Sequence, residues 1–163
     1  MGVVLLNSRG EALLAKRADG KKYTSPGPQF LWQFPQGGVD KGEEPLAAAT
    51  RELYEETGVK SCSLLGELPD WLCYQFPPEQ LAIWVAAGKG WGGKYKGQAQ
   101  RWYVFRFTGE DSEVDLRGIG HEAEFIEWRW APLDSIIDTV VPFKRRVYDE
   151  VLAFAATFPR SAL

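Results

Sequence analysis

Apolar residues fall into short runs broken by turn formers, with one long helical pattern between them. Residues 3–6 and 12–16 are apolar runs separated by Asn7-Ser8-Arg9-Gly10, which predicts a β-hairpin. Residues 17–29 hold Gly20, Pro26, Gly27 and Pro28 among few apolar positions and read as a long loop. Residues 31–34 predict a short strand stopped by Pro35. From Leu46 to Thr57 strong helix formers dominate, with Pro45 suited to the first turn and Gly58 to the residue past the end. Residues 62–68 and 71–76 predict strands on either side of a turn at Pro69-Asp70. Residues 77–95 are glycine-rich and irregular with a short helical piece, whereas residues 98–107 alternate as one central strand. A polar loop spans 109–123, a strand 125–130, and Pro132-Leu133 opens a short helix. Residues 143–154 predict a last helix with Val147, Val151 and Phe154 on one face. Strands before, beside and after one central helix indicate an α+β fold with a mixed sheet.

Composition narrows this picture. A chain of 163 residues suits one domain with a sizeable core. Its net charge of −3 argues against a general polyanion binder, although a local basic patch is compatible with it. Seven Trp and nine Phe supply either an aromatic core or rings for flat ligands. Cys62 and Cys73 have no metal-type spacing, and a reduced, cytoplasmic protein is the simplest account. The longest apolar run, residues 81–87, is far too short for a membrane span, and the N-terminus has no basic region of a signal peptide. The first strand starts so abruptly that further upstream residues are expected.

The strongest chemistry lies in residues 37–59. At about 100° per residue, Glu52, Glu55 and Glu56 share one helix face. Three carboxylates in so small a space repel one another and raise each other's pKa unless a cation joins them. Hard oxygen donors suit Mg²⁺, Mn²⁺ or Ca²⁺, and an incomplete protein cage suits Mg²⁺ that shares ligands with phosphates. Glu43 at the helix entrance offers a fourth carboxylate, and Arg51 can orient one of them by a bidentate bond. A Glu-Glu pair alone would be an ordinary solvated face. The complete pattern is Gly37, Glu43, Arg51-Glu52-Leu53, Glu55-Glu56 and Gly58-Val59, nine fixed positions. A chance match is on the order of one in a billion.

This pattern resembles the box of the Nudix hydrolases, without departure. The resemblance implies an α/β/α sandwich in which the box forms loop, helix and loop, and hydrolysis of a nucleoside diphosphate linked to another group. It implies that Glu52, Glu55 and Glu56 ligate Mg²⁺ or Mn²⁺, more than one ion, and that Glu52 or Glu56 also helps activate water. Leu46, Ala49 and Leu53 would dock the helix on the sheet, while Gly37 and Gly38 let backbone approach metal or phosphate.

Motifs outside the box resemble the RNA pyrophosphohydrolase and asymmetrical dinucleoside tetraphosphate hydrolase subgroup. They are residues 32–38 (WQFPQGG), 97–103 (GQAQRWY), Glu124-Phe125 with Trp128-Arg129-Trp130, and Phe143-Lys144-Arg145 with Val147-Tyr148. By position, Glu124 is the carboxylate brought from outside the box, as metal ligand or general base. Phe143 and Lys144 resemble a base-stacking ring and a phosphate-binding lysine, although Phe143 equally suits packing of the last helix. Lys16, Arg17, Gln36 and Arg101 are further substrate-binding candidates, and Tyr103 either stacks or packs. His121, the only histidine, has no partners for a triad or a zinc site and reads as loop. Two departures stand out: a Tyr-Arg-Pro arm before the first strand is lacking, and the loop over residues 17–29 is long. The expected partners are dinucleoside polyphosphates or 5′-triphosphorylated RNA ends, with neither membrane nor DNA. A nucleotide-sugar hydrolase and a non-catalytic nucleotide-binding module are the competing readings.

Overall fold

The computed structural model describes residues 1–18, 31–86, 88, 94–120 and 122–159. Most of the predicted loop over residues 17–29, and His121, lie outside them. Strands β1 (Gly2–Leu6), β2 (Glu11–Arg17), β3 (Trp32–Gln33), β4 (Cys62–Glu67), β7 (Trp102–Phe107) and β8 (Phe125–Pro132) form one sheet in the order β3-β2-β1-β7-β4, with β8 on β2. The sheet is mixed: β1 and β7 run parallel from Gly2↔Trp102 to Leu6↔Arg106, and the other pairings are antiparallel.

Strand β1 is buried at every position. That continuous apolar run marks a strand covered on both faces. Val3, Leu5, Leu13, Ala15, Tyr103 and Phe105 pack with Ala48, Ala49 and Leu53 of helix α1 (Pro45–Thr57). Val4, Leu6, Leu14, Trp102 and Val104 pack in the other core, with Val147, Tyr148 and Val151 of helix α3 (Arg145–Ala155). The sheet is therefore sandwiched between helices, as expected.

Helix α1 has its predicted ends. Pro45 occupies the first turn, and Gly58 caps the other end at φ 74°, its N–H bonded to Tyr54 O at 2.7 Å. Only glycine takes that left-handed conformation without strain. One expectation fails: Leu46 stays 38% exposed, and Ala48 takes its place in the buried stripe. Helical side chains lean toward the N-terminus, which carries a first-turn residue past the packed layer.

One other reading changes. The two strands expected around Pro69-Asp70 are present and lie in different sheets. β4 joins β7, while β5 (Leu72–Gln75) pairs with β6 (Gly97–Gln100) in a separate two-stranded sheet. The predicted single strand over residues 98–107 is thus two strands in different sheets, broken at Arg101. Its alternation survives on both sides of the break, so periodicity could not reveal it. A short helix α2 (Pro78–Ala86) follows β5, and a 3-10 turn over Pro142–Lys144 leads into α3. Among the described residues no helix is long and apolar enough to cross a membrane.

Candidate active site

Helix α1 carries Arg51, Glu52, Glu55 and Glu56 along one stripe, and the loop before it brings Glu43 back to meet them. Arg51 is the hub. Its Nε and Nη2 donate to Glu43 Oε1 and Oε2 at 2.8 and 2.9 Å, in fork geometry. Its Nη1 donates to Glu52 Oε1 at 3.1 Å and Glu55 Oε2 at 2.9 Å, and Nη2 also reaches Gly38 O at 3.2 Å. The Arg51 bonds, with an N–H from Asp40, hold the Glu43 carboxyl down at about 2. Glu43 in turn drives the Arg51 guanidinium further up, so it stays charged at every accessible pH.

Glu52 and Glu56 are pushed the other way. Burial raises the Glu52 carboxyl, although Arg51 opposes it. The Gly37 backbone passes so close that a Cβ there would sit 2.0 Å from the Glu52 carboxyl carbon. Any larger residue there would push the Glu52 carboxyl out of its place. Glu56 is 2% exposed and its carboxyl is raised well above the usual range, first by burial and then by Glu124. Its Oε2 accepts the Gln36 N–H at 3.0 Å, while its Oε1 is buried with no hydrogen-bond partner. A buried carboxylate with an unmatched oxygen is costly unless a cation supplies the missing contact.

Glu124, just before β8, is brought from a distant loop to this cluster. Its charge acts on both Glu56 and Glu52, and its carboxylate lies 3.9 Å from Arg17 Nη1. Its carbonyl accepts the Ala18 N–H at 2.8 Å, which ties the loop to the end of β2.

Beside the carboxylates opens a cavity of about 210 Å³. Arg17, Gln36, Gly37 and Gly38 line its catalytic end, and Tyr74, Phe76, Trp84 and Phe143 its aromatic end, with Lys144, Gln98 and Gln100 between. The rings brace one another: Phe76 meets Trp84 edge-on at 4.8 Å, and Phe143 lies 5.7 Å from Tyr74 and 6.2 Å from Phe76. Lys144 is 8% exposed, with Nζ 5.5 Å from the Tyr74 ring. The Tyr74 hydroxyl donates to Gln98 Oε1, and Gln100 Nε2 donates to Gln36 Oε1 at 2.8 Å.

The NUDIX domain matches residues 1–151 of the sequence. The chain belongs to the NUDIX family. It is 47% identical over 164 residues to an RNA pyrophosphohydrolase of Rhodopseudomonas palustris (strain BisB18), covering 99% of this chain and 89% of that protein. It is 49% identical over 154 residues to an RNA pyrophosphohydrolase of Agrobacterium fabrum (strain C58), covering 93% of this chain and 87% of that one. Among solved structures, a C. elegans Ap4A hydrolase binary complex superposes with a TM-score of 0.60 at 20% identity, covering 96% of this chain and 98% of that one. The E. coli dihydroneopterin triphosphate pyrophosphohydrolase gives 0.65 at 16% identity, covering 94% and 93%. At those identities the structural likeness establishes the NUDIX fold.

The remaining expected site residues of this NUDIX chain stand in several different surroundings. Glu43 turns both its oxygens to Arg51, and one of them also accepts the Asp40 N–H. The Gly37 carbonyl accepts from the Met1 amino group at 2.7 Å. Among the described residues no three acidic, histidine or cysteine side chains stand close enough to hold one ion as arranged. Arg51 bonds both Glu52 and Glu55. The all-carboxylate donor set and the unmatched Glu56 Oε1 nevertheless fit a hard divalent cation.

Lys16, Arg101 and Tyr103 do not line the cavity. Lys16 pairs with Glu127 at 2.9 Å, and Arg101 with Glu67 at 3.3 Å while lying 6.0 Å from the Trp71 ring. Tyr103 is 2% exposed and packs in the α1 core, so of its two readings the structure selects packing. Phe143, by contrast, is half-buried, braced by rings and lines the cavity, a position compatible with either of its readings. Sequence reasoning missed Tyr74, Phe76, Trp84, Gln98 and Gln100. Their signal was the matched alternation of Tyr74 and Phe76 with Gln98 and Gln100, legible only once β5 is paired with β6.

Proposed function

We propose that this chain hydrolyses a phosphoanhydride bond in a polyphosphate attached to a nucleoside, removing pyrophosphate from 5′-triphosphorylated RNA ends. The same site accepts dinucleoside polyphosphates such as diadenosine tetraphosphate, which present the same phosphate chain. One observation carries the reading. Glu56, a buried carboxylate with an unmatched oxygen, is joined through Gln36 to a cavity that pairs aromatic rings with a lysine. Such a cavity suits a base on the rings and phosphate charge at the ammonium group. The named function of the RNA pyrophosphohydrolase relatives supports the RNA end as substrate.

In this reading Glu52, Glu55, Glu56 and Glu124 hold Mg²⁺, with Mn²⁺ as a substitute and more than one ion. Bound there, the metal neutralises phosphate oxygens and lowers the pKa of a water. Arg51 and Glu43 are positioning residues that fix where the box carboxylates stand. Glu124, exposed at the rim, takes the proton of the attacking water at its carboxylate. Lys144 and Arg17 meet the polyphosphate, and Phe143 stacks on the base.

Kinetics on 5′-triphosphorylated RNA and on diadenosine tetraphosphate, with products identified, test the proposal. Pyrophosphate or stepwise phosphate release from RNA supports it, and ATP plus AMP from the dinucleotide supports the second substrate. Turnover that persists in excess chelator would refute the metal assignment. Binding without turnover on any nucleoside polyphosphate would refute catalysis.

A further inference from the structure

We propose that the segment over residues 109–120 is a bracket that sets the spacing between helix α1 and Glu124, with Glu113 as its positioning residue. This deepens the reading of Glu124 as a partner of the box carboxylates, on which it rests.

The bracket grips the C-terminal end of α1. The last carbonyls of a helix have no partner within it. Here the segment meets two of them: the Asp115 N–H donates to Thr57 O at 2.8 Å, and the Ile119 N–H donates to Glu55 O at 3.1 Å. Glu55 is thus held through its main chain while its side chain stands in the cluster. The segment lies directly against the helix cap, since a Cβ at Gly58 would sit 3.1 Å from Asp115 Cβ and 3.2 Å from Glu113 O.

Glu113 locks this grip. It ends a 3-10 turn over Asp111–Glu113. Its Oε1 accepts the N–H groups of both Lys60 and Ser61, at 2.7 and 2.9 Å, in the turn that leaves α1 for β4. A carboxylate on main-chain N–H groups makes charge-assisted bonds, stronger than those of a neutral acceptor. Its other oxygen is crowded by backbone, and a Cβ at Gly109 would sit 2.1 Å from Glu113 Oε2.

The other arm reaches β8. Asp111 Oδ1 accepts the Trp130 Nε1–H at 2.9 Å. Val114 and Leu116 pack in one apolar cluster with Phe125, Trp128 and Trp130 of β8 and Leu53 of α1. Glu124 immediately precedes Phe125. The β2 ladder and the Ala18 N–H to Glu124 O bond fix it from the sheet side, and the bracket ties it to the end of α1. Helix α1 is anchored on the sheet by Ala48, Ala49 and Leu53, so a loosened bracket displaces Glu124 rather than the box. Carboxylates that share a cation depend on such outer supports for their spacing.

The test follows kcat and KM on 5′-triphosphorylated RNA, and Mn²⁺ binding without substrate, read from the paramagnetic resonance of the free ion. Glu113→Ala should lower kcat about tenfold and weaken Mn²⁺ binding several-fold, with KM for RNA unchanged. Glu113→Gln keeps an oxygen acceptor for Lys60 and Ser61 and should restore both. The double variant Glu113→Ala/Glu124→Gln should lose no more than Glu124→Gln alone, because the bracket then has no carboxylate to place. Asp111 is exposed, and Asp111→Ala reads the β8 arm without endangering the fold; kcat should again fall several-fold at constant KM. Losses that add in the double variant would overturn the proposal. So would earlier melting of Glu113→Ala with kcat and Mn²⁺ affinity intact. Full kcat and Mn²⁺ affinity in Glu124→Gln would overturn the role of Glu124 itself, and the bracket with it.

Discussion

The main-chain N–H of Gln36 donates to Glu56 Oε2 at 3.0 Å. The side chain of the same residue accepts from Gln100 at the cavity wall, at 2.8 Å. One residue therefore links the most deeply buried acid of the cluster to the two-stranded sheet that lines the nucleotide cavity. The link is built by the segment over residues 34–37, which β1 holds through the Val3 N–H to Pro35 O and the Gly37 N–H to Met1 O.

Glu56 should be indispensable for turnover and unhelpful for stability. Glu56→Gln keeps the shape and removes the charge, and turnover should fall about 10²-fold or more. The stability effect has the opposite sign. Burial raises the folded-state pKa of Glu56 above its usual 4.5, so the folded protein binds this proton more tightly than the unfolded chain. Its contribution is present below pH about 4.5 and is lost as pH rises through the folded-state value. With divalent ions chelated, wild-type melting temperature should decline across that window, and Glu56→Gln should decline less. Added Mg²⁺ should raise the wild-type melting temperature more than that of the variant. Near-normal turnover in Glu56→Gln would remove it from the metal site.

Arg51 acts by geometry as much as by charge. Lysine keeps the charge but cannot reproduce the fork to Glu43 while also reaching Glu52 and Glu55. Arg51→Lys should lower kcat about tenfold with little change in KM, since Arg51 does not line the cavity. A variant that loses affinity and keeps kcat would mean that Arg51 touches substrate directly.

How legible was this site? The box itself was open to reading, because its chemistry is local: Glu52, Glu55 and Glu56 share a helix face whatever the rest of the chain does. Glu43 was harder. Sequence places it near the acids but does not show that Arg51 occupies both its oxygens. Tyr103 and Arg101 depended on the face and the break of one strand, and alternation continues across that break. The cavity was least legible, because Tyr74, Phe76, Gln98 and Gln100 come from two strands whose pairing is non-local. The fold followed more readily, since the continuous apolar β1 and the capped α1 each announce their own surroundings.

Phe143 should contribute more to binding than to folding. Its ring is half-buried and leans on Tyr74 and Phe76, which also brace each other at 5.6 Å. Phe143→Ala leaves that pair in place and removes one wall of the cavity. KM for a nucleoside polyphosphate should rise about tenfold, while the melting temperature falls by only a few degrees. A large loss of stability with an unchanged KM would show that the ring serves only to pack α3.

Tyr148 offers the converse case, a residue whose effect should begin in stability. Its hydroxyl accepts the buried Phe34 N–H at 3.0 Å, and its ring stacks on Phe34 at 5.0 Å with an interplanar angle of 1°. The hydroxyl is fully enclosed, and burial holds its pKa far above the tyrosine range, so it stays neutral and keeps accepting. Tyr148→Phe preserves the stack but leaves the Phe34 N–H without an acceptor, at a cost of about 1–3 kcal/mol. For a chain of this size that is a fall of roughly 2–12 °C in melting temperature. Phe34 stands two residues before Gln36, so the loosened backbone also carries the N–H that Glu56 Oε2 accepts. Below the melting transition, kcat should therefore fall several-fold in Tyr148→Phe while KM stays constant. Unchanged kcat in a destabilised variant would show that the Val3 and Gly37 bonds alone hold Gln36 in register with Glu56.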